Sequence, residues 1–320
     1  MNKAIKVASV QMEHINGNKV KNLKKVEYYT RKAADEGAHI VVFPECCITG
    51  YWFLRKLPRQ RLVDLAEQIP EGETPKYIME LSQLYNIIIG VGLIEIDNEG
   101  KLYNSYYVAM PDGTYGNHRK IHTFISEHME SGSEYTVFDT PFGCRVGVLT
   151  CYDNNINENV RINALMGAQI ILAPHQTGGC DSPDPKTMGL VDKNLWRNRH
   201  NDPEAIESEL KGMKGRGWLM RWLPTRAHDN GVFIIFSNGI GEDDDEIRTG
   251  NAMIIDPYGD ILAETWKAGD DMVVSQLDFD LIEISTGKWW IKTRRPELYG
   301  PLSTPTGLEE DTRKVRFEKR

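Results

Sequence analysis

Glu45 stands at the end of an apolar run, at a position where a surface turn would ordinarily be polar. Residues 39–43 are largely apolar and β-branched, Pro44 follows them, and residues 46–48 are apolar again. A carboxylate in apolar surroundings ionises less easily than one in water and suits the work of a general base. The alternative interpretation is a solvated carboxylate after a strand, which would have no chemical role.

The segment of residues 117–122 contains a lysine between two histidines. His118 and His122 stand four positions apart, a spacing that would place both on one face of a metal-binding helix. The turn signal at residues 111–113 favours a strand instead, and on a strand the two histidines flank Lys120 on the same face. Lys120 then either points into a site or belongs to a basic solvated edge.

A third candidate, Cys151, follows the apolar run of residues 146–149 and precedes a predicted helix by a few residues. This order resembles the strand–turn–helix arrangement that exposes a nucleophile in hydrolases. A nearby helix N-terminus and a nearby lysine would both lower the thiol pKa and increase the thiolate fraction. Most free cysteines, however, are simply small buried apolar residues.

The chain around these side chains alternates strands and helices. Apolar alternation and continuous β-branched runs predict strands, and apolar residues at helical spacing predict helices. The predicted strands are residues 4–12, 39–43, 87–94, 101–110, 144–150, 169–174, 232–238, 251–258, 260–266 and 272–277. The predicted helices include residues 18–34, 74–85 and 158–166. The pattern is typical of an α/β protein with mixed sheets.

No linker divides the predicted strands, which favours a single large domain over residues 1–299. Residues 178–217 interrupt the pattern without a strand core, and such an insertion is usually a lid, a binding loop or an interface arm. We expect it either to close over the site, with Trp196 as an apolar wall, or to pack on a neighbouring subunit. Residues 300–320 are rich in proline and charge and predict a surface arm or a disordered tail.

The amino-acid composition argues against several classes of protein. The 320 residues include 38 Lys and Arg against 46 Asp and Glu, a formal net charge of −8, which argues against general affinity for nucleic acid or an anionic membrane. No apolar run approaches the ~18–20 residues that span a bilayer, and no signal-peptide core follows the first lysines, so we expect a cytoplasmic protein. Five cysteines without a CxxC pair predict neither a disulfide framework nor a zinc ribbon.

The three segments together resemble the nitrilase superfamily, the carbon–nitrogen hydrolases. The resemblance is carried by residues 42–45, 118–122 and 147–153, in the family's order, and is supported by residues 137–143 and 250–262. It implies a four-layer α-β-β-α sandwich of two mixed sheets. It also implies a homodimer or larger homo-oligomer, no metal or organic cofactor, and a small-molecule amide, carbamoyl or nitrile substrate.

The resemblance also implies a Glu-Lys-Cys triad. Glu45 would be the base that takes the thiol proton, and Cys151 would attack the carbonyl or nitrile carbon to give a thioester. Lys120 would stabilise the oxyanion, helped by the backbone N–H of Tyr152. The implied activity is hydrolysis of an amide or N-carbamoyl group. A nitrilase acting on C≡N, a non-catalytic binding or scaffold protein of the same fold, and a zinc hydrolase remain alternatives.

Two further residues are candidates for positioning the substrate. Members of the family often have a second glutamate after the lysine, and Glu127 fits this role better than Glu130, although the spacing departs from the family's pattern. His175 follows a predicted strand at the site-bearing end of the sheet and is either a substrate contact or a structural residue. Asn154 and Asn155 replace the family's usual residues after the cysteine and leave the substrate class open.

Overall fold

The computed structural model describes residues 4–182, 184 and 186–317. The strands are β1 (Ala4–Gln11), β2 (Ile40–Val42), β3 (Ile88–Ile96), β4 (Leu102–Ala109), β5 (Tyr115–Arg119), β6 (Met129–Glu130), β7 (Thr136–Asp139), β8 (Arg145–Val148), β9 (Ile170–His175), β10 (Phe233–Asn238), β11 (Ile240–Asp243), β12 (Glu246–Thr249), β13 (Met253–Ile255), β14 (Ile261–Glu264) and β15 (Asp271–Asp278).

The α-helices alternate with these strands in the first half of the chain and cluster between β9 and β10 and after β15. They are α1 (Lys19–Asp35), α2 (Arg59–Leu65), α3 (Glu73–Tyr85), α4 (Asn157–Leu165), α5 (Lys193–Arg197), α6 (Pro203–Lys211), α7 (Arg216–Leu219), α8 (Leu223–Asn230), α9 (Asp280–Ile284), α10 (Thr286–Lys292), α11 (Gly300–Ser303) and α12 (Thr312–Phe317). Short 3₁₀ turns cover Trp52–Lys56, Cys151–Asn155 and Pro296–Leu298. Among the described residues, no helix is long and apolar enough to cross a membrane.

Two mixed sheets form the centre of the molecule. The first has the order β15-β1-β2-β3-β4-β5, with β6 beside β4, and the second has the order β14-β13-β10-β9-β8-β7. Each sheet has three parallel strands at its centre, β1-β2-β3 in one and β10-β9-β8 in the other. The outer strands are added through antiparallel pairings, except β6, which is parallel to β4. β11 and β12 form a separate hairpin.

Three hydrophobic cores lie between the layers and hold them together. Between the sheets, Val7 and Val42 of the first sheet are grouped with Val146 and Phe233 of the second. A second core holds α1 and α3 against the first sheet, and a third holds α4 and α8 against the second. The layers therefore follow the order helices, sheet, sheet, helices, and the prediction of a single α/β domain with mixed sheets is confirmed.

Helix α1 shows why the sequence pattern predicts the position of a helix well. The side chain of Asn18 caps the helix by accepting the N–H of Lys21, which satisfies one of the free donors of the first turn. Val26, Tyr29 and Ala33 are buried at helical spacing. The helix occupies residues 19–35, against the predicted 18–34.

Asp202, Pro203 and Glu204 predict one helix start within residues 178–217, and the structure contains more helix there than that. Residues 178–217 contain α5, α6 and the beginning of α7, and Asp202 caps α6 by accepting the N–H of Ala205. A separate hydrophobic cluster joins them to the β11–β12 hairpin. The physical reason is that the apolar residues of this segment are few but coincide with short helical turns, a pattern too brief to register as periodicity.

The C-terminal segment also departs from the prediction of an arm or a disordered tail. Within residues 300–317, α11 and α12 are formed, and the Arg313 guanidinium donates to the backbone carbonyl of Met129 at 3.3 Å. The ring centre of Phe317 lies 6.1 Å from that of Phe124. Helix α12 is thus attached to the domain. The last three residues of the predicted tail, 318–320, lie outside the described residues.

Candidate active site

Glu45, Lys120 and Cys151 each lie just beyond the carboxyl end of a strand. Glu45 follows β2, Lys120 follows β5, and Cys151 follows β8. β5 runs in the same direction as β3 because two antiparallel pairings separate them, so β2 and β5 end at the same edge of the first sheet. The structure brings the three side chains together: Lys120 Nζ is 2.7 Å from Glu45 Oε1, and both charges act on the Cys151 thiol.

The backbone at Cys151 has the strained conformation expected at a sharp strand-to-helix turn. Its φ is +51°, in the left-handed region that residues with a side chain rarely adopt. Cys151 begins the 3₁₀ turn of residues 151–155, where the Asp153 carboxylate accepts the backbone N–H of Thr150 at 3.1 Å, and α4 starts two residues after the turn. The strand–turn–helix arrangement predicted around Cys151 is therefore present.

The Cys151 thiol does not have the lowered pKa expected from the sequence. Burial, followed by the negative charge of Glu45, raises the pKa to about 12, and the opposing effect of the Lys120 charge is smaller. The physical reason is that Lys120 already has a counter-ion, so its charge stabilises a thiolate less than an isolated lysine would. At neutral pH the thiol is protonated and needs a base before it can attack.

The Glu45 carboxylate has one oxygen held by hydrogen bonds and one oxygen without a partner in the part of the chain that the structure describes. Its Oε1 accepts from Lys120 Nζ and from the side-chain amide of Asn104, both at 2.7 Å. Its Oε2 is buried and has no hydrogen-bond partner among the described residues, so it can accept a proton. Burial alone would lower the pKa of Lys120, but the charges of Glu45, Cys151 and Asp153 outweigh it and raise the pKa, so the lysine stays charged.

Asp153 joins the segment that carries Lys120 to the turn that carries Cys151. Its carboxylate lies 3.2 Å from His118 Nε2 and 3.0 Å from His122 Nδ1, and it accepts the backbone N–H of His122 and of Thr150. Burial raises the pKa of Asp153, but the two histidines lower it by more, so it is depressed overall. Both histidines thus bind a carboxylate, and within residues 4–182, 184 and 186–317 no group of three or more side chains could hold a metal ion.

A cavity of ≈ 420 Å³ opens above the thiol, within the usual range of ~300–1,000 Å³ for small-molecule sites. Cys151 lies in its wall, and the ring of Tyr152 is 5.9 Å from that of Phe124, centre to centre. Six aromatic side chains line it: Tyr51, Trp52, Phe124, Tyr152, Trp218 and Trp222. Three arginines complete the polar part of the wall: Arg226, Arg248 and Arg316. The cavity therefore suits a small organic molecule with a polar end.

The structure does not bring every candidate to this cavity. The Glu127 side chain is 79 % exposed and lies 4.0 Å from His128, at a different surface depression. His175 is buried behind the cavity, where the side-chain amide of Asn154 donates to Nε2 at 3.1 Å. Burial, then the Lys120 charge, holds the pKa of His175 well below its usual value, so it is neutral.

Trp196 was the expected apolar wall of the cavity, and this prediction is wrong. Its side chain is buried with Ile206 and Leu210 in the cluster beneath the β11–β12 hairpin, away from the cavity-lining residues. The insertion does reach the cavity, through Ser182, Thr187 and Met188. The wall is instead formed by Trp218 and Trp222, which follow the insertion in sequence.

Sequence reasoning missed three residues that hold the site. Asn104 orients Glu45 from strand β4, Gln176 donates its side-chain amide to the Glu45 carbonyl at 2.8 Å, and Asp153 joins the two catalytic segments. Asn104 and Gln176 gave no signal, because a single amide in an apolar strand or turn resembles any buried polar residue. Asp153 could have been found, since a carboxylate two residues after the cysteine would be buried beside two histidines.

Comparisons with known proteins agree with this geometry. The sequence profile of the carbon–nitrogen hydrolases matches residues 6–284. A nitrilase of Pyrococcus abyssi is 30 % identical over 301 residues, covering 92 % of this chain and 99 % of that protein. A citrullinase of Francisella tularensis is 30 % identical over 307 residues (93 % and 98 % covered). An omega-amidase NIT2 of Danio rerio is 29 % identical over 320 residues (94 % and 99 % covered).

The fold is shared with a solved amidase. The structure of a glutamate-to-glutamine mutant of the amidase from Nesterenkonia sp. AN1, which carries a covalent acetamide group at its active-site cysteine, superimposes with a TM-score of 0.67. The match covers 92 % of this chain and 95 % of that one at 17 % sequence identity. At that identity the likeness shows a common fold.

Proposed function

The chain belongs to the carbon–nitrogen hydrolase family as an amidase-type enzyme, and we propose that it hydrolyses an amide or N-carbamoyl group of a small molecule through a thioester on Cys151. The observation that carries the proposal is the buried Lys120–Glu45 pair at 2.7 Å beside a protonated thiol. One oxygen of Glu45 is held by Lys120 and Asn104, and the other is free to take the thiol proton.

In the first half of the reaction, the Cys151 S–H bond breaks and its proton passes to Glu45 Oε2 while the sulfur attacks the carbonyl carbon. Protonation removes the negative charge of Glu45, so the charge of Lys120 becomes available to the developing oxyanion. The backbone N–H of Tyr152 is the second donor to that oxyanion. The C–N bond then breaks, and the leaving nitrogen takes the proton from Glu45 and departs as ammonia or an amine.

In the second half, Glu45 is again a carboxylate and removes a proton from water. The hydroxide attacks the thioester carbon, the C–S bond breaks, and the proton on Glu45 returns to the sulfur. The acid product leaves and the thiol is restored. Each step uses only the side chains of this site, the backbone N–H of Tyr152 and one water molecule.

A substrate screen tests the proposal. Wild-type protein is incubated with primary amides, N-carbamoyl compounds and nitriles, and the release of ammonia is measured. Cys151→Ala is the inactive variant, and Cys144→Ala is its matched control, because Cys144 is also buried but lies in the core between the sheets.

We expect ammonia from at least one amide or carbamoyl compound, loss of nearly all turnover in Cys151→Ala, and retained turnover in Cys144→Ala. Turnover of nitriles alone would contradict the amidase assignment. Activity of Cys151→Ala above a few per cent of wild type would contradict the role of the thiol.

A further inference from the structure

The cavity wall carries positive charge without matching negative charge. Three arginines line it, and no aspartate or glutamate is among the lining residues that the structure describes. One of the three, Arg248, is neutralised from behind: its guanidinium lies 3.3 Å from Asp243 and 2.8 Å from Glu246. Lys120, which is buried and is not among the lining residues, has Glu45 as its counter-ion. The net charge of the wall therefore depends on the groups that surround Arg226 and Arg316.

Arg226 is held by backbone dipoles. Its Nε donates to the carbonyl of Asn154 at 3.0 Å, and its Nη2 donates to the carbonyl of Asn155 at 2.9 Å. No carboxylate of the described chain lies within ion-pair distance of it. These two bonds fix the guanidinium beside the turn that carries Cys151, and the carboxylates of Asp229 and Glu158 act on its charge only from beyond ion-pair distance.

Arg316 reaches the same cavity from the opposite end of the chain. It lies on α12, and its guanidinium carbon is 5.6 Å from the ring centres of both Trp52 and Phe317. The aromatic faces stabilise part of the positive charge of Arg316. They leave the N–H groups at the edge of the guanidinium free to donate hydrogen bonds. In the part of the chain that the structure describes, this half-buried arginine has no carboxylate partner.

We propose that the substrate carries an acidic group, a carboxylate, at the end remote from the scissile amide, and that Arg316 binds this group opposite the thiol. The proposal rests on the function proposed above and specifies its substrate class. Arginine binds carboxylates through two parallel N–H donors, and the aromatic walls exclude water that would weaken the ion pair. A cationic tail would meet three arginines, and a neutral tail would leave Arg316 without an acceptor.

The C-terminal helix thereby becomes the element that selects the substrate. α12 contributes Val315 and Arg316 to the wall, although it begins about 160 residues after Cys151 in sequence. The helix is anchored by the bond from Arg313 to Met129 and by the Phe317–Phe124 contact. These contacts hold the helix against the domain at the place where Arg316 lines the cavity.

The test compares amides that differ only at their far end. Three series of stepped chain length end in a carboxylate, a methyl group or an ammonium group, and kcat/KM is measured for each with wild type, Arg316→Gln, Arg316→Lys and Lys314→Gln. Lys314 is the matched control, because it lies on the same helix, pairs with Glu310 at 2.7 Å and is outside the cavity wall.

We expect wild type to prefer the carboxylate series and Arg316→Gln to lower the carboxylate-to-methyl ratio of kcat/KM by about tenfold or more, mainly through KM. Arg316→Lys should retain part of the preference, and Lys314→Gln all of it. A wild-type preference for the methyl or ammonium series overturns the proposal. An unchanged ratio in Arg316→Gln overturns the assignment to Arg316.

A binding measurement with the Cys151→Ala variant tests the substrate class independently of whether the enzyme hydrolyses amides. Calorimetry measures the Kd of the carboxylate and methyl amides for Cys151→Ala with Arg316 intact and with Arg316→Gln added. Tighter binding of the acid that depends on Arg316 supports the substrate class even if no amide is turned over. Equal binding of the two amides contradicts it, whether or not the enzyme hydrolyses them.

Discussion

A buried lysine and a buried glutamate 2.7 Å apart are each other's counter-ion, so the charge that faces Cys151 changes when Glu45 takes up a proton. Before attack the pair is neutral overall and the thiol is protonated. In the mechanism that we propose, Glu45 is neutral and Lys120 is positive after proton transfer. The positive charge thus becomes effective only when the oxyanion forms, which favours the transition state over the bound substrate.

The Lys120→Arg variant tests whether the positive charge must be concentrated at the position of the lysine ammonium group. Arginine keeps the charge but spreads it over a planar fork that does not fit the space between Glu45 and the thiol. We expect kcat to fall by about 10²–10³ with little change in folding. The matched control is Arg119→Lys at the neighbouring position, which pairs with Glu95 outside the site. A near-normal kcat for Lys120→Arg would contradict the assigned role.

The raised pKa of Cys151 predicts how the free enzyme reacts with an alkylating agent. Because only the thiolate is alkylated and the thiol pKa is about 12, the labelling rate of Cys151 by iodoacetamide should rise continuously between about pH 7 and pH 10. Mass spectrometry of the Cys151 peptide measures this rate. A plateau reached near neutral pH would show a lowered pKa and would contradict the need for a base.

At the scale of elements, Asp153 holds two catalytic segments in register. We expect Asp153→Asn to lower the free energy of unfolding by about 3 kcal/mol, since it breaks a buried set of charge-assisted bonds, and to reduce kcat. Asp139→Asn is the control, because the Asp139 side chain is 78 % exposed and pairs with Arg145 at the surface. Urea unfolding of the three proteins at neutral pH measures the difference.

The same carboxylate gives a pH dependence of stability. The pKa of Asp153 is lower in the folded protein than in the unfolded chain, so its contribution is fully present above about pH 4 and is lost as the pH falls toward the folded value. The stability difference between wild type and Asp153→Asn should therefore shrink below about pH 4. A constant difference down to about pH 2 would contradict the depressed pKa.

Two residues of the insertion (residues 178–217) have different roles, one in stability and one in the cavity wall, and the two roles can be tested separately. Trp196 anchors it in its own hydrophobic cluster, and Met188 lies in the cavity wall. We expect Trp196→Ala to cost about 3–5 kcal/mol of stability without altering the ratios of kcat/KM across a substrate series. Met188→Ala should alter those ratios with a smaller loss of stability. The reverse pattern would place Trp196, and not Met188, at the substrate.

Much of the element order and the segments that carry Glu45, Lys120 and Cys151 could be predicted from the sequence. Helical spacing located α1 within one residue at each end, and apolar runs located β2 and β8, because those patterns are local. The pKa of Cys151 and the position of Trp196 could not be predicted, since both depend on contacts across the fold. The same holds for α12, whose apolar contacts are with residues 52 and 124.

For the whole molecule, the outer helical layer over the second sheet has an apolar surface. Leu165 and Met166 at the end of α4 and Trp289 and Trp290 on α10 are each more than two-fifths exposed. Large exposed apolar side chains on a helical layer are typical of an interface. We propose that a second copy of the chain covers this face, in keeping with the oligomer that the family resemblance implies.

Sedimentation measures the assembly directly. We expect a mass of at least twice the 36.4 kDa of the chain at micromolar concentration, and a shift toward 36.4 kDa in Trp290→Glu. Tyr115→Glu is the control, because Tyr115 is also exposed but lies on strand β5 of the other sheet. A wild-type monomer, or an assembly that Trp290→Glu leaves intact, would contradict this interface.

The measurement that tests the central claim most directly is the mass of the enzyme during turnover. Wild-type protein mixed with an amide that it hydrolyses is quenched in acid, digested and analysed by mass spectrometry. The account predicts that the peptide containing Cys151 gains the mass of the substrate's acyl group, and that Cys151→Ala gains none. An unmodified Cys151 under conditions where an acyl group accumulates on another residue would contradict it.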